Sequence, residues 1–461
     1  LYPSGFDEES CISRYESLSY HHSSKLNQAS PYLVSKLRSY ETRHKRCMEL
    51  YNTTVLSLKH NTSELFNDCK YIVWISSSGL GNRIITVIST FLYALLTDRV
   101  LLIDRGSADI MPKLFCEPFP GSSWFLPLDF PLIPKFSDFN GDSPDSFGSL
   151  LNHHSHSDLP FQRNYVYLHL DHDYNDRDKL FFCNQHQKYL QNTLWLVITS
   201  NNYFIPSLFF ISGFQSELNE LFPDKETVFH LLGRYMFHPT NEAWALVSRY
   251  YNAYLSKADV TVGIQIRVHW RSGMLDYVLS QILSCSMDEG ILPQIDKIER
   301  LNNTTRNKTS LVDVMIVSLD KGYLEHIRDV YWENPTTTGE FVSVHQPSSE
   351  EYQQFGNSKH DMKAWVEMYL LSLTDKLITS AYSTFGYVAQ GLSGRRSWVL
   401  YNPENGEVPN PPCQRVISME PCFHAAPSHD CNERDAISVA PYLMHCEDVK
   451  FGLKLVEPDK N

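Results

Sequence analysis

Two patterns predict an α/β protein with parallel sheets. The first is the apolar run Tyr71-Ile72-Val73-Trp74-Ile75-Ser76, then a glycine-containing loop, apolar residues at helical spacing over 84–97, and a second run, Val100-Leu101-Leu102-Ile103-Asp104. A strand-loop-helix-strand order needs a crossover, and crossovers join parallel strands. The second pattern repeats this order later: Thr261-Val262-Gly263-Ile264-Gln265-Ile266-Arg267, an apolar run over 311–319, helical spacing at 325–330 and 361–373, and Lys376-Leu377-Ile378-Thr379-Ser380 leading to a helix over 387–393. Two such halves predict two Rossmann-like domains facing a cleft, and such sheets bind ligands beyond the carboxyl ends of their strands.

The composition sets the frame. At 461 residues and 42% hydrophobic content the chain can fill a core for two domains of ordinary size. A net charge of −13 argues against nucleic acid as a partner, because phosphate neutralisation needs a basic surface. The expected organisation is a helical and irregular extension at 1–68, a first domain at 69–255, a second at 256–405, and a cysteine-rich segment at 406–461 that packs back on the body. Within the extension, helical periodicity spans 32–51.

In the first domain, the loop Ser77-Ser78-Gly79-Leu80-Gly81-Asn82-Arg83 joins strand to helix. Gly79 and Gly81 let backbone approach a ligand, and Asn82 and Arg83 at the helix start can point into the cleft; a tight turn accounts for the glycines equally well. Residues 112–160, rich in Pro, Phe, Ser and Asp, read as irregular connections. A strand over 194–199 leads into Ser200-Asn201-Asn202-Tyr203-Phe204, a polar and aromatic loop suited to a sugar ring, or else an ordinary loop with a hydrophobic anchor. Asp171-His172-Asp173, with Asp176 and Asp178, has the form of a DxD metal site for a sugar nucleotide. These acids lie far in sequence from the phosphate candidates below, and an arginine already offers charge, so no metal is expected.

Pro239 and Thr240 mark the start of a helix over 241–255. The strand after it delivers Arg267 at its carboxyl end, a fixed cation suited to phosphate; the alternative is a surface arginine. The run after the strand at 376–380, Ala381-Tyr382-Ser383-Thr384-Phe385-Gly386, is a phosphate cradle in which helix-start N–H groups and the Ser383 and Thr384 hydroxyls face an anion. Two such elements point to a nucleoside diphosphate. Ser318 ends the strand at 311–319 at the same sheet edge. Glu367, on the helix before the cradle, can accept both N1–H and the exocyclic amine of guanine; a helix-surface charge is the alternative.

Ten cysteines, four of them crowded between 413 and 446 at spacings unlike a zinc site, read as disulfides whose pairing the sequence leaves open. Sequons at Asn52, Asn61, Asn302, Asn303 and Asn307 add to the expectation of a secretory lumen. No run reaches the length of a membrane span, and the first residues show neither an initiator methionine nor a signal peptide. A trimmed lumenal domain with its anchor upstream is therefore expected.

Gly263-Ile264-Gln265-Ile266-Arg267, the segment 364–373, Ser383-Thr384-Phe385-Gly386-Tyr387-Val388-Ala389-Gln390-Gly391-Leu392, and His445-Cys446-Glu447-Asp448 resemble the plant cell-wall α-1,2-fucosyltransferases typified by xyloglucan fucosyltransferase, glycosyltransferase family 37. The resemblance runs from about Cys69 to Leu455. It implies a Golgi type II membrane enzyme with a variant GT-B fold that moves L-fucose from GDP-fucose to O2 of a terminal galactose, with inversion and without metal or other cofactor. It also admits a homodimer. By the same resemblance, Arg267 and Asn82 are catalytic, Arg267 holding the diphosphate. Gly81 and Arg83 face the donor, Gln265, Ser318 and Glu367 lie toward guanine, and Ser383, Thr384 and Phe385 form a donor motif. Asn201, Asn202 and Tyr203 would meet the acceptor, a galactose-terminated polysaccharide or glycoprotein glycan. The family pattern has an aspartate where Asn201 stands and acids where His269-Trp270-Arg271 stand, so the departures concern the acceptor. An arabinogalactan-protein acceptor, or a glycan-binding relative with weak turnover, are the alternatives.

Overall fold

The structure, a computed structural model, describes residues 1, 4–20, 28–60, 68–153, 161, 163–268, 275–296, 310–401, 407–428, 431 and 440–457. The sequons at Asn61, Asn302, Asn303 and Asn307, and His269-Trp270-Arg271, lie outside them; Asn52 is exposed on the helix Tyr51–His60.

Two sheets form the frame. The first comprises β1 (Tyr71–Trp74), β2 (Val100–Ile103), β3 (Tyr165–His169) and β4 (Trp195–Thr199), all parallel in the order β2-β1-β4-β3. The second comprises β5 (Val260–Gln265), β6 (Leu311–Val317), β7 (Phe341–His345), β8 (Lys376–Ser380), β9 (Trp398–Leu400) and β10 (Cys413–Arg415), in the order β10-β9-β8-β5-β6-β7. It is parallel except where β10 runs against β9. The central strands are buried on both faces, which is why they read as unbroken apolar runs.

The expected α/β class and parallel sheets are what the chain adopts, but the two halves are joined more closely than a cleft between separate domains suggests. The helix Leu80–Leu96 is apolar and buried around nearly its whole circumference, and a helix of that kind belongs inside a core. One side covers the first sheet; the helices Val228–Met236 and Thr384–Ser393 pack on another. A single apolar cluster therefore runs from Leu33 through Ile84 and Phe91 to Trp365, Leu371 and Leu392, across both halves. The outer face of the second sheet keeps its own core around Val262, Ile264, Ile282 and Val314. The helix Asn241–Ala253, capped by the Thr240 hydroxyl accepting from the Ala243 N–H, lies against the helix Ser358–Leu371.

The cysteine-rich segment laces these parts together. Cys285–Cys413 ties β10 to the helix Leu275–Asp288, Cys183–Cys431 ties the segment to the first half, and Cys422–Cys446 closes it on itself. Its hairpin, β11 (Leu443–His445) and β12 (Leu453–Leu455), is antiparallel. Glu420 of this segment is fully buried against the first half, accepting from the Tyr203 hydroxyl and the Phe229 N–H, and burial pushes its pKa up to about 8. The amino-terminal extension is anchored by Cys11–Cys116 and Cys47–Cys69. Cross-links spanning 105, 128 and 248 residues remove much of the freedom of the unfolded chain.

Candidate active site

A cavity of about 570 Å³ opens at the carboxyl ends of the second sheet's strands, a size suited to a nucleotide-sized ligand. Arg267 stands two residues beyond the end of β5, its N–H donating to Ser380 Oγ at 2.9 Å. The guanidinium is half-buried, burial draws its pKa down, and its Nη2 donates to Gln353 Oε1. Two other charged pairs border the cavity. Lys363 pairs with Glu350, which this contact holds below its usual range, and Asp361 pairs with Arg83 at 3.0 Å. Among the described residues no carboxylate lies within ion-pair distance of Arg267, so it is the cation left to receive an anion.

Two helix starts face the same space. Leu80, Gly81 and Asn82 open one helix, Thr384 and Phe385 open the other, and all five line the cavity. Ser383 caps the second helix, its Oγ accepting from the Gly386 N–H at 3.4 Å, while its hydroxyl hydrogen remains available to an anion. Paired positive dipole ends beside an arginine make a site for a diphosphate.

Several expectations change in detail. Gly81 is required by the protein rather than by a ligand: a Cβ there would stand 2.8 Å from the Thr384 carbonyl carbon and 2.9 Å from the Phe385 nitrogen. The Thr384 hydroxyl donates to Asn82 Oδ1 at 2.6 Å, so its hydrogen is spent on joining the halves. Arg83 does not line the cavity; its Nε donates to Ser78 O and its Nη1 to Asp361, because burial of both side chains favours the pair. Burial nonetheless raises the Asp361 pKa, with the Arg83 charge opposing it.

At the far end of the cavity Glu367 is 8% exposed, its Oε1 accepting from the Ser348 hydroxyl at 2.6 Å. Burial lifts its pKa to about 7. Gln265 lines the same wall, with Oε1 accepting from the Ser380 N–H, and Ser318 lies beside it at the end of β6.

The loop after β4 is only partly what its sequence suggests. Asn201 and Asn202 reach the cavity wall, Asn201 gripping His172 through both its amide atoms at 3.0 and 2.7 Å. Tyr203 and Phe204 are fully buried, the former bound to Glu420, so the aromatic part of this loop is core and meets no ligand. Asp171 is partly buried and Asp178 buried, desolvation raises both pKa values, and neither lines the cavity. No group of three or more His, Cys, Asp or Glu side chains among the described residues is placed to hold a metal ion.

The xyloglucan fucosyltransferase family model matches residues 1–432. The chain belongs to that family. It is 53% identical to a galactoside 2-alpha-L-fucosyltransferase of Pisum sativum, over 99% of this chain and 81% of that one, and 51% identical to one of Arabidopsis thaliana, over 99% and 82%. The solved structure of an arginine-to-lysine mutant of Arabidopsis thaliana FUT1 in complex with GDP has 50% identity and a TM-score of 0.91, over 99% of this chain and 98% of that chain. The fold is thus the GT-B-like one of this family.

Against this family background, the residues that sequence reading missed stand out. His424, from the cysteine-rich segment, lines the cavity with burial lowering its pKa; its Nε2 meets the Tyr387 hydroxyl, which donates to Asp448 Oδ2 at 2.6 Å. Gln353, Glu350, His360 and Lys363 come from the stretch after β7 and the helix it enters. The acids of His445-Cys446-Glu447-Asp448 were the signal for the first group; in the second, Lys363 lies in the periodic stretch 361–373, and Glu350, Gln353 and His360 precede it without a motif.

Proposed function

We propose that this chain is a galactoside 2-α-L-fucosyltransferase, moving L-fucose from GDP-fucose to O2 of a terminal galactose on a plant cell-wall glycan, with xyloglucan side chains as the acceptor. The observation that carries this is Arg267, a half-buried guanidinium with no carboxylate partner among the described residues, lining the same cavity as two helix starts. The names of relatives half identical over nearly the whole chain supply the donor and acceptor class.

In this reading the diphosphate of GDP-fucose lies against Arg267, the helix starts, Asn82 and the Ser383 hydroxyl. Guanine lies toward Glu367, with Gln265 and Ser318 beside it, and Phe385 borders the donor. The galactose O2 attacks the fucose anomeric carbon from the face opposite the phosphate. The new C–O bond forms as the glycosyl–phosphate bond breaks, GDP leaves with the electron pair, and the configuration inverts. Negative charge gathers on the leaving oxygen while the sugar becomes oxocarbenium-like, so fixed donors at the phosphate stabilise the transition state. The hydroxyl proton leaves late, toward water, since a loose transition state demands little of a base. Arginine and helix starts supply the charge that other transferases take from a metal ion, which is the ground for proposing metal independence. Asn201 and Asn202 lie on the acceptor side.

We place the enzyme in the Golgi lumen behind an amino-terminal anchor; the disulfide lacing across both halves supports an oxidising compartment. The test is incubation with GDP-fucose and galactose-terminated xyloglucan in excess chelator, reading GDP release and the linkage of the product. Fucose on galactose O2 is the expected outcome. GDP release without fucosylated product overturns the activity, and transfer that needs added Mg²⁺ or Mn²⁺ overturns the metal-free mechanism.

A further inference from the structure

Two aromatic rings stand in solvent at the mouth of the cavity. Phe355 is 73% exposed and Tyr382 is 44% exposed, and both line it. An exposed phenyl ring loses the burial that usually holds it, so a pair of them at a binding mouth calls for an occupant. The loop whose sequence suggested sugar stacking does not supply one, since Tyr203 and Phe204 are in the core.

Both residues sit on chain segments that are tied to their surroundings. Phe355 belongs to a loop bound at several points: Gln353 accepts from Arg267, Gln354 Nε2 donates to Glu350 at 3.2 Å, and Asn357 Nδ2 donates to Gln354 Oε1 at 2.6 Å. Glu350 is itself paired with Lys363 on the next helix. Tyr382 has a φ of +58°, a left-handed conformation that a bulky side chain rarely adopts. Its N–H donates to Asp448 Oδ2 at 3.0 Å, and its ring meets His424 edge-on at 5.7 Å. Strain of this kind persists where neighbours over-determine it, and it clusters at functional sites.

We propose that Phe355 and Tyr382 form a stacking subsite for pyranose rings of the acceptor that adjoin the galactose receiving fucose; this rests on the fucosyl-transfer reading above. A pyranose with equatorial hydroxyls presents a face of C–H groups, slightly positive and apolar, which suits the negative face of an aromatic ring. A neutral polysaccharide offers no charge, and such rings ask for none. The sheet order β8-β5-β6-β7 puts Tyr382, just past β8, and the loop after β7 on opposite flanks of Arg267, just past β5. An oligosaccharide lying across the mouth to bring its galactose over the diphosphate meets one ring on each side.

The test compares wild type, Phe355→Ala, Phe355→Trp and Tyr382→Asn, asparagine being tolerant of a left-handed backbone. A galactose-terminated xyloglucan oligosaccharide and methyl β-galactoside serve as acceptors, and oligosaccharide binding to the GDP-loaded protein is measured by calorimetry. The expected result for Phe355→Ala is a rise of about tenfold in oligosaccharide KM and Kd. Its GDP affinity and its turnover of methyl β-galactoside stay within about twofold of wild type. Phe355→Trp restores binding, and Tyr382→Asn behaves as Phe355→Ala does. Unchanged oligosaccharide affinity in both aromatic deletions, or equal losses with both acceptors, overturns the subsite. A wild-type protein that binds the oligosaccharide through these rings but transfers no fucose overturns the activity and leaves the subsite standing.

Discussion

In the proposed donor pose, Glu367 makes nucleotide affinity depend on pH, in a direction set by its burial. Its carboxyl is 8% exposed, and burial lifts its pKa to about 7; the Ser348 hydroxyl favours the charged form, Glu350 opposes it, and Lys363 supports it. Guanine offers two N–H donors, so only the carboxylate binds it, and binding draws the pKa down. The affinity contributed by Glu367 is therefore complete above pH 7 and lost as pH falls through 7. With that pKa the group is roughly nine-tenths ionised at pH 8 and one-tenth at pH 6, so this residue weakens GDP binding about tenfold over the interval, about 1.4 kcal/mol. Calorimetry from pH 6 to 8, in buffers of different ionisation enthalpy, measures both the affinity and the proton released. The GDP phosphate also titrates near this range, so the decisive quantity is the slope of wild type minus that of Glu367→Gln. The glutamine variant is expected to bind about tenfold more weakly at pH 8, the scale of one hydrogen bond to a charged group, and to lose the extra slope. If its slope equals that of wild type, Glu367 does not hold the base.

Three further outcomes follow from the site. Arg267→Lys is expected to lower kcat/KM about a hundredfold, roughly 3 kcal/mol, because a point charge cannot reproduce a guanidinium fork on phosphate oxygens; steady-state rates near wild type refute that role. Gly81→Ala forces a methyl group against backbone at 2.8 and 2.9 Å, so a loss of about 1–3 kcal/mol in stability should appear in denaturant unfolding together with weaker GDP binding. An unaltered midpoint shows that the two helix starts have room to part. Asn201→Ala removes the grip on His172 and is expected to raise acceptor KM while GDP affinity stays within about twofold; a weakened donor with an untouched acceptor puts this loop on the donor side.

What could be read from sequence follows from how each feature is encoded. β1, β2, β4, β5, β6 and β8 are buried on both faces and announce themselves as apolar runs; β3, framed by polar turns, and β7, an edge strand whose Phe341 is exposed, do not. The helix Leu275–Asp288 follows a stretch without apolar rhythm and was not anticipated. The places of Arg267, Gln265, Ser383 and Thr384 on the cavity wall were legible because a strand end and a helix start carry their own local signatures; Glu367, within a helix, stood out only as a carboxylate on an otherwise apolar stretch. Arg83 and Tyr203 were misplaced for one reason: chain position puts a side chain at the cleft, but the partner that claims it, Asp361 or Glu420, lies more than two hundred residues away. His424 and Gln353 reach the cavity from segments with no regular structure, placed by disulfides and by Arg267 itself.

The same long-range contacts determine how the site is prepared. Within the first turn of the helix Leu80–Leu96, Gly81 allows backbone contact with the other helix start, Asn82 accepts from Thr384, and Arg83 pairs with Asp361. Beneath that turn, a shared apolar cluster continues from Ile84 to Leu392. Steric fit, a hydrogen bond, an ion pair and hydrophobic burial thus all join the halves at one place, where both helix starts and Arg267 line the cavity. Separating the halves would break all four at once, so the donor pocket is set by folding and not assembled by domain closure. In the proposed donor pose, donors aimed in advance at the leaving oxygen need no reorganisation when charge develops there, which is where preorganisation gains most in rate. What remains free to vary is the mouth, bordered by the loop after β7, the Asn201 loop and the disulfide-laced tail, and it is there that acceptor choice can change without disturbing the donor chemistry.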